Sequence, residues 1–337
     1  DPLDIEHHWQ YMYRFSHFRG AAVMGAISAL DEALYDIAGK FYGVPVYRLL
    51  GGKCRDKVRV YNHTAGRTEE ELIENAIKGK EEGFTALGHL NPYLDEPRHQ
   101  PFHDNNTQML YNAERRIARV REAVGEDTDL CLELHRRLEP GLAVQLSARL
   151  EPYAPMFLED PIRPDNFDEM ARVAQQCQIP IATGERINSL FEFEMLLERG
   201  ACSYVRASIG VCGGFTGIKK IAALAEAHHK SLVPHNPLSP VTTNALLQFC
   251  AATDNIAICE YPDPYAASTA DHLTGSGSKL RQVDMVTQIP KFEKGYVEIP
   301  EGPGLGIDLI SDVEERFPFR PHAVGTRLNL DGSICDQ

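Results

Sequence analysis

Leu130-Cys-Leu-Glu133-Leu-His135, Met156-Phe-Leu-Glu159-Asp-Pro161 and Ile181-Ala-Thr-Gly-Glu185-Arg186 share one form: a short apolar run that closes on a glutamate. The three glutamates follow one another at equal intervals of 26 positions. A polar, helix-like stretch fills each interval, Leu142–Glu151 and then Phe167–Gln176. Strand, helix, strand at this period is the βαβ unit of a parallel sheet. Acids at the carboxyl ends of successive parallel strands face one mouth. Three hard oxygen donors there suit Mg²⁺ or a similar divalent cation, one per site. A solitary glutamate so placed reads as a helix cap or a solvated loop acid. Three in this pattern read as metal ligands, since catalytic groups sit at strand carboxyl ends in barrels.

Outward from this stretch the rhythm extends in both directions. Strand-like runs lie at Val58–His63, Thr85–Leu90, Leu130–His135, Pro155–Glu159, Ile179–Glu185, Ser203–Ser208, Ser231–His235 and Ile256–Glu260. Helical patterns alternate with them near 69–82, 109–124, 140–151, 167–177, 190–199, 214–229 and 241–252. Eight strands with alternating helices predict an α/β fold, a (β/α)₈ TIM-like barrel. A doubly wound open sheet would need a glycine-rich phosphate turn after the first strand, and Thr64-Ala-Gly66-Arg67 is too poor in glycine for one. Residues 21–42 form a long helix with Ile27, Leu30, Leu34 and Ile37 on its apolar face, stopped by Gly43-Val-Pro45. The aromatics of Trp9–Phe18 read as packing. The expected organisation is residues 1–57 as the remnant of an N-terminal cap, 58–262 as the barrel, and 263–337 as a segment that closes the barrel and packs on the cap. Together the two flanking segments make a partial α+β capping domain.

Composition narrows the partners. The chain has 337 residues, a net charge of −14 and a pI near 5.4. That acidity argues against nucleic acid as a partner. The sequence holds no apolar run of about 18 residues, so no membrane span is expected. It opens on Asp-Pro-Leu-Asp without a basic and apolar leader, and its eight cysteines are scattered. The expectation is a cytoplasmic protein with buried free thiols.

The strand ends supply more than ligands. His135 lies two residues after Glu133, and residues i and i+2 of a strand share a face. Strand seven ends in Val-Pro-His235-Asn-Pro, strand eight in Glu260, strand one in His63, and Arg186 follows strand five. His135 and His235 are candidate proton-transfer groups, because an imidazole titrates near neutral pH. Arg186 and His63 are candidate substrate-binding groups, and Glu260 is a further acid at the same mouth. A long connection, Asn91–Gln108, carries Tyr93, Arg98, His99 and His103 toward the same mouth. Neither a Gly-x-Ser-x-Gly elbow nor a His-Glu-x-x-His helix is present. A cation flanked by imidazoles suits removal of a proton alpha to a carboxylate, with the cation stabilising the enediolate that forms.

Several stretches together resemble the mandelate racemase/muconate lactonizing branch of the enolase superfamily, and most of all its galactonate- and mannonate-type acid-sugar dehydratases. They are Ala26-Ile-Ser-Ala-Leu-Asp-Glu-Ala-Leu-Tyr-Asp-Ile-Ala-Gly-Lys40, Gly43-Val-Pro-Val-Tyr-Arg-Leu-Leu-Gly-Gly52, the three strand-end acids, Gly213-Gly-Phe-Thr216, His235-Asn-Pro and Glu260-Tyr. The resemblance runs from about residue 9 to 310. It implies a homo-oligomeric lyase in which Mg²⁺ is held by Glu133, Glu159 and Glu185. His135 would help hydroxide leave, His235 would be the base, and Glu260 would hydrogen-bond the substrate, a small sugar acid converted to a 2-keto-3-deoxy acid. By this resemblance, the expectation is that the first cap strands of the family are missing here. Glu133 stands where the family has Asp, Ala86-Leu-Gly-His-Leu90 stands where a lysine motif is common, and Ser208 stands where an Asp orients the strand-seven His. Members lacking that Asp draw a tyrosine base from the loop after strand two, where this chain has Tyr93. A racemase, epimerase or cycloisomerase, and a sugar-acid-binding protein without turnover, are the alternatives.

Overall fold

The computed structural model describes residues 1–15, 17–97, 100, 105–237, 239–262, 264, 281–318 and 327–336. Arg98, His99 and His103, singled out above, lie outside the described residues. Strand and helix alternate along the chain as anticipated: β1 (Lys57–His63), α4 (Glu69–Glu81), β2 (Ala86–Leu90), α5 (Asn106–Val124), β3 (Asp129–Glu133), α6 (Pro140–Leu150), β4 (Phe157–Glu159), α7 (Phe167–Gln176), β5 (Ile181–Thr183), α8 (Leu190–Glu198), β6 (Tyr204–Val205), α9 (Gly214–Ala227), β7 (Ser231–Leu232), α10 (Pro240–Ala251) and β8 (Cys259–Glu260). Three helices precede them: α1 (Ile5–Phe15), α2 (Ala21–Tyr42) and α3 (Val46–Leu49). The chain divides into two compact units, one of Asp1–Arg59, Glu185–Phe193 and Arg206–Ala323, the other of Val60–Gly184, Glu194–Val205 and Val324–Gln337.

The second unit is built on parallel strands. β1 pairs β2 through Asn62↔Leu87 and His63↔Gly88, and β3 pairs β4 with Glu133 opposite Glu159. β4 pairs β5 with Glu159 opposite Ala182, and β5 pairs β6. Nearly every residue of β3, β4 and β5 is buried, as a parallel sheet covered on both faces requires. Helix starts are written in the sequence: Thr68, Asn105 and Asn166 each accept a backbone N–H of the first turn that follows. β2 carries an irregularity. Leu87 pairs Leu130 but Leu90 pairs Leu132, so three steps on β2 oppose two on β3. The bulge turns His89 to φ 47°. Gly88 is obligatory beside it, since a Cβ there would lie 1.9 Å from the Tyr61 ring.

In the first unit α1 and α2 join around Trp9, Met24 and Ile27. The packing expected of the Trp9–Phe18 aromatics holds for Trp9, whereas Tyr11, Phe15 and Phe18 are exposed. The apolar stripe read on α2 is also shifted. Ile27 is buried, but Leu30 and Ile37 are exposed, and Ser28, Asp31 and Glu32 turn inward instead. The reason is the glycine turn before α9. The Ser28 hydroxyl accepts the N–H groups of Gly213 and Gly214, and the Asp31 carboxylate accepts the N–H and hydroxyl of Thr216. Gly213 and Gly214 take left-handed φ of 97° and 65°, and a Cβ on Gly214 would sit 2.4 Å from Asp31 Oδ2.

This arrangement buries two neighbouring acids. Burial pushes Glu32 up to about 8, with the Asp31 charge adding to it. Burial likewise raises Asp31 to about 6 against the Thr216 hydrogen bonds that favour its charge. A raised carboxyl pKa stabilises the fold below the unfolded value and loses that stability as pH rises toward the folded value. For Glu32 the loss runs from about pH 4.5 to 8. Its size is a few kcal/mol, at about 1.4 kcal/mol per unit. Glu32→Gln should therefore melt higher than wild type at pH 8, by a margin that shrinks toward pH 5. Melting curves across that range check it, and a margin independent of pH would refute the buried-acid origin.

Candidate active site

In the second unit the acids end their strands as the spacing implied. Glu133 and Glu159 are opposite each other in register, and each is only 1% exposed. The backbone beyond them is held in unusual conformations. Leu134 N–H donates to Glu159 O and Arg136 N–H to Asp160 O, while His135, Arg136 and Asp160 all take positive φ. Asp160 is fixed by the Thr183 hydroxyl at 2.5 Å and by Arg136 Nη1 at 3.2 Å. Non-glycine residues in the left-handed region persist where surrounding contacts over-determine them, which is common at functional sites.

His135 does reach Glu133, but by a different route from the one anticipated. β3 ends at Glu133, so strand alternation does not extend to His135. A local turn brings it back: the His135 N–H donates to Glu133 Oε1 at 2.8 Å, and its Nε2 lies 3.9 Å from the same oxygen. His89 meets it edge-on at 4.9 Å between ring centroids, and His63 stacks on His89 at 4.8 Å. Burial, then the charges of His89, Arg136, Arg137 and Arg327, hold the His135 imidazole well below the usual histidine range. His89 escaped the sequence reading. It sits on the β2 bulge, and period-two alternation gives no sign of a bulge; the Gly88-His89 pair was the one available signal.

Tyr93 is 1% exposed, and its hydroxyl meets no hydrogen-bond partner among the described residues. Burial pushes its phenol well up, and the Arg137 guanidinium 5.5 Å from its ring opposes this only in part. The phenol keeps its proton at neutral pH. Arg137 and Arg327 both bond Glu96, at 2.9 and 3.0 Å.

In the first unit Glu185 lies just past the chain segment of β5, and its Oε2 is 3.2 Å from His235 Nε2. His235 itself is set by a backbone N–H to Ala207 O. Arg186 is exposed. Ser208 is buried, with its carbonyl accepting the N–H groups of Val211 and Cys212. Glu260 is 2% exposed and tightly held: Arg206 Nη2 at 2.8 Å and Asn236 N–H at 2.8 Å both bond Oε2. Arg206 is 1% exposed and also donates to Val233 O and Pro234 O. Its pairing with Glu260 was missed because a buried arginine looks like any surface cation in sequence; its apolar neighbours Val205 and Ala207 were a hint.

The donor set suits a hard cation. Two buried carboxylates side by side resist joint ionisation unless a positive charge offsets them, and Glu133 and Glu159 offer only oxygen. Among the described residues no helix is long and apolar enough to cross a membrane, and the eight cysteines form no disulfide.

Comparison with known proteins places the chain. The profile of the enolase C-terminal domain-like family matches residues 96–313, and that of the mandelate racemase/muconate lactonizing enzyme N-terminal domain matches residues 1–51. D-galactonate dehydratase of Ralstonia pickettii is 36% identical over 312 residues, covering 92% of this chain and 78% of its own. D-mannonate dehydratase of Caulobacter vibrioides is 33% identical over 356 residues, covering 99% and 85%. Among solved structures, an enolase from Agrobacterium radiobacter bound to sodium and L-malate matches with a TM-score of 0.88 at 28% identity, covering 100% of this chain and 85% of that one. With the βα rhythm and the strand-end acids, these matches make the chain a member of the mandelate racemase/muconate lactonizing branch of the enolase superfamily, a (β/α)₈-type carbon–oxygen lyase of the acid-sugar dehydratase kind.

Proposed function

We propose that the protein dehydrates an aldonate or aldarate across C2–C3 to a 2-keto-3-deoxy acid, with one Mg²⁺ held by Glu133, Glu159 and Glu185. The observation that carries this reading is the in-register pair of buried carboxylates, Glu133 and Glu159, at the ends of β3 and β4. Glu185 is the third ligand by its place after the next strand. When bound, Mg²⁺ anchors the substrate carboxylate and disperses the charge that builds on it as the alpha proton leaves.

The side chains divide the proton work. His235, its ring oriented by Glu185 at 3.2 Å, takes the C2 proton. His135, beside the first acid of the set, delivers a proton to the departing C3 hydroxyl, a role in which the bound substrate's negative charge has to raise the imidazole from the low range it has in the free protein. Tyr93, whose phenol burial pushes well up, keeps its proton and serves as a hydrogen-bond donor. Glu260 keeps a fixed carboxylate for a substrate hydroxyl, with Arg186 and His63 at the margins.

The test is a panel of aldonic and aldaric acids incubated with enzyme and Mg²⁺, assayed for 2-keto product and, in D₂O, for deuterium at C2. Dehydration of at least one acid is expected. The His235→Asn variant should lose C2 exchange, and His135→Asn should keep exchange while losing dehydration. Deuterium entering C2 without loss of water would favour a racemase or epimerase. Tyr93→Phe blocking exchange while His235→Asn permits it would move the base to Tyr93. No product from any acid would end the dehydratase reading.

A further inference from the structure

His89, Glu133 and His135 present one nitrogen, one oxygen and one nitrogen whose ligand atoms all lie within 4.8 Å of one another. This trio differs in kind from the carboxylate set. Two imidazoles with one carboxylate form the donor set of borderline divalent ions such as Zn²⁺, Co²⁺ and Ni²⁺, whereas all-oxygen sites suit Mg²⁺. From this geometry we infer that the chain carries a second cation site, on His89, Glu133 and His135, selective for a borderline transition metal over Mg²⁺.

Three features support a built site. The two rings meet edge-on at 4.9 Å with an interplanar angle of 72°, so they lie beside each other without stacking, each with a nitrogen within 4.8 Å of the other and of a Glu133 oxygen. His63 stacks on His89 at 4.8 Å and 25°, which limits the rotation of that ligand ring. The His135 backbone N–H holds Glu133 Oε1 at 2.8 Å, which fixes the carboxylate against the turn that carries the second imidazole, whose Nε2 lies 3.9 Å from the same oxygen. A cation bonded at about 2.1 Å to each ligand sets the donor atoms roughly 3–4 Å apart, so side-chain adjustments of about 1 Å complete the site. His89 Nε2 or Nδ1 and His135 Nε2 would then be metal-bound, leaving the outer positions to water.

The site shares Glu133 with the proposed Mg²⁺ set and occupies the imidazole assigned to proton delivery. It would make the enzyme sensitive to traces of transition metal even at saturating Mg²⁺.

Cobalt provides a direct readout, because nitrogen-bound Co²⁺ of low coordination absorbs strongly in the visible and octahedral all-oxygen Co²⁺ does not. Full-length protein in excess Mg²⁺, titrated with Co²⁺, should develop visible bands that saturate at one equivalent. His89→Asn should abolish them; asparagine tolerates the left-handed φ at this position, and an unchanged circular dichroism spectrum would exclude misfolding. His89→Cys should restore binding with a new sulfur-to-metal charge-transfer band. Glu185→Gln, outside the trio, should leave the bands in place. The proposal fails if no visible bands form, if they survive His89→Asn undiminished, or if Glu185→Gln alone removes them. Because none of these readings depends on turnover, a failure here is separable from a failure of the dehydratase assignment.

Discussion

Glu159→Gln is expected to lower kcat/KM for the enzyme's sugar acid by roughly a thousandfold or more while leaving the melting temperature equal or higher. A Lewis-acidic cation contributes several kcal/mol to such a reaction, and each 1.36 kcal/mol is about tenfold in rate. Glu159 is the sharpest place to remove it. The side chain is 1% exposed at the end of β4, opposite Glu133. Glutamine keeps its volume and one acceptor oxygen but removes the charge. In the metal-free protein that change relieves repulsion between two buried carboxylates, hence the unchanged or raised stability. Glu133 is a poorer target, since its Oε1 also accepts the His135 backbone N–H, and a variant there would disturb the turn that carries His135 along with the cation. Calorimetric Mg²⁺ titration beside steady-state kinetics separates the outcomes. Wild-type turnover with wild-type Mg²⁺ affinity in Glu159→Gln would remove Glu159 from the ligand set.

The fold was legible because its parts are periodic. Parallel strands buried on both faces must be short apolar runs, and the helices between them must be amphipathic, so β3, β4 and β5 could be placed to within two or three residues. Strand-end acids were legible for the same reason: an ionisable group directly after a buried run has few structural uses. What stayed hidden departs from period. The bulge that swings His89 toward His135 breaks the alternation of β2. The turn that returns His135 to Glu133 uses left-handed φ at a non-glycine residue, which composition does not announce. On α2, Ser28 and Asp31 occupy the buried stripe because they dock the Gly213-Gly214 turn, so an apolar-only reading shifted the face. Arg206 is the largest omission. Glu260 was read as a substrate partner from its strand-end position and the family resemblance, and the cation that lets this carboxylate exist in the interior went unseen.

That cation carries the second large effect. Arg206→Met should destabilise the protein by about 3–5 kcal/mol, the cost of leaving one member of a buried pair uncompensated, and lower Tm by on the order of 10 °C. Arg206 and Glu260 are 1% and 2% exposed, so little water is available to solvate the orphaned carboxylate. The loss extends beyond the pair. Arg206 also donates to the carbonyls of Val233 and Pro234, and Glu260 Oε2 also accepts the Asn236 N–H. These bonds frame His235, so the variant should lose turnover as well as stability. Arg206→Met with Glu260→Gln should recover most of the stability, because glutamine can still accept from Asn236 and no buried charge remains. The single variant should also recover in acid: its Glu260, raised in the folded state, takes up a proton more readily than in the unfolded chain, so its deficit narrows as pH falls. Urea unfolding of the wild type and the single and double variants between about pH 5 and 8 measures all of this. A double variant no more stable than Arg206→Met, with a deficit flat in pH, would show that Arg206 acts through its carbonyl contacts and not through the charge of Glu260.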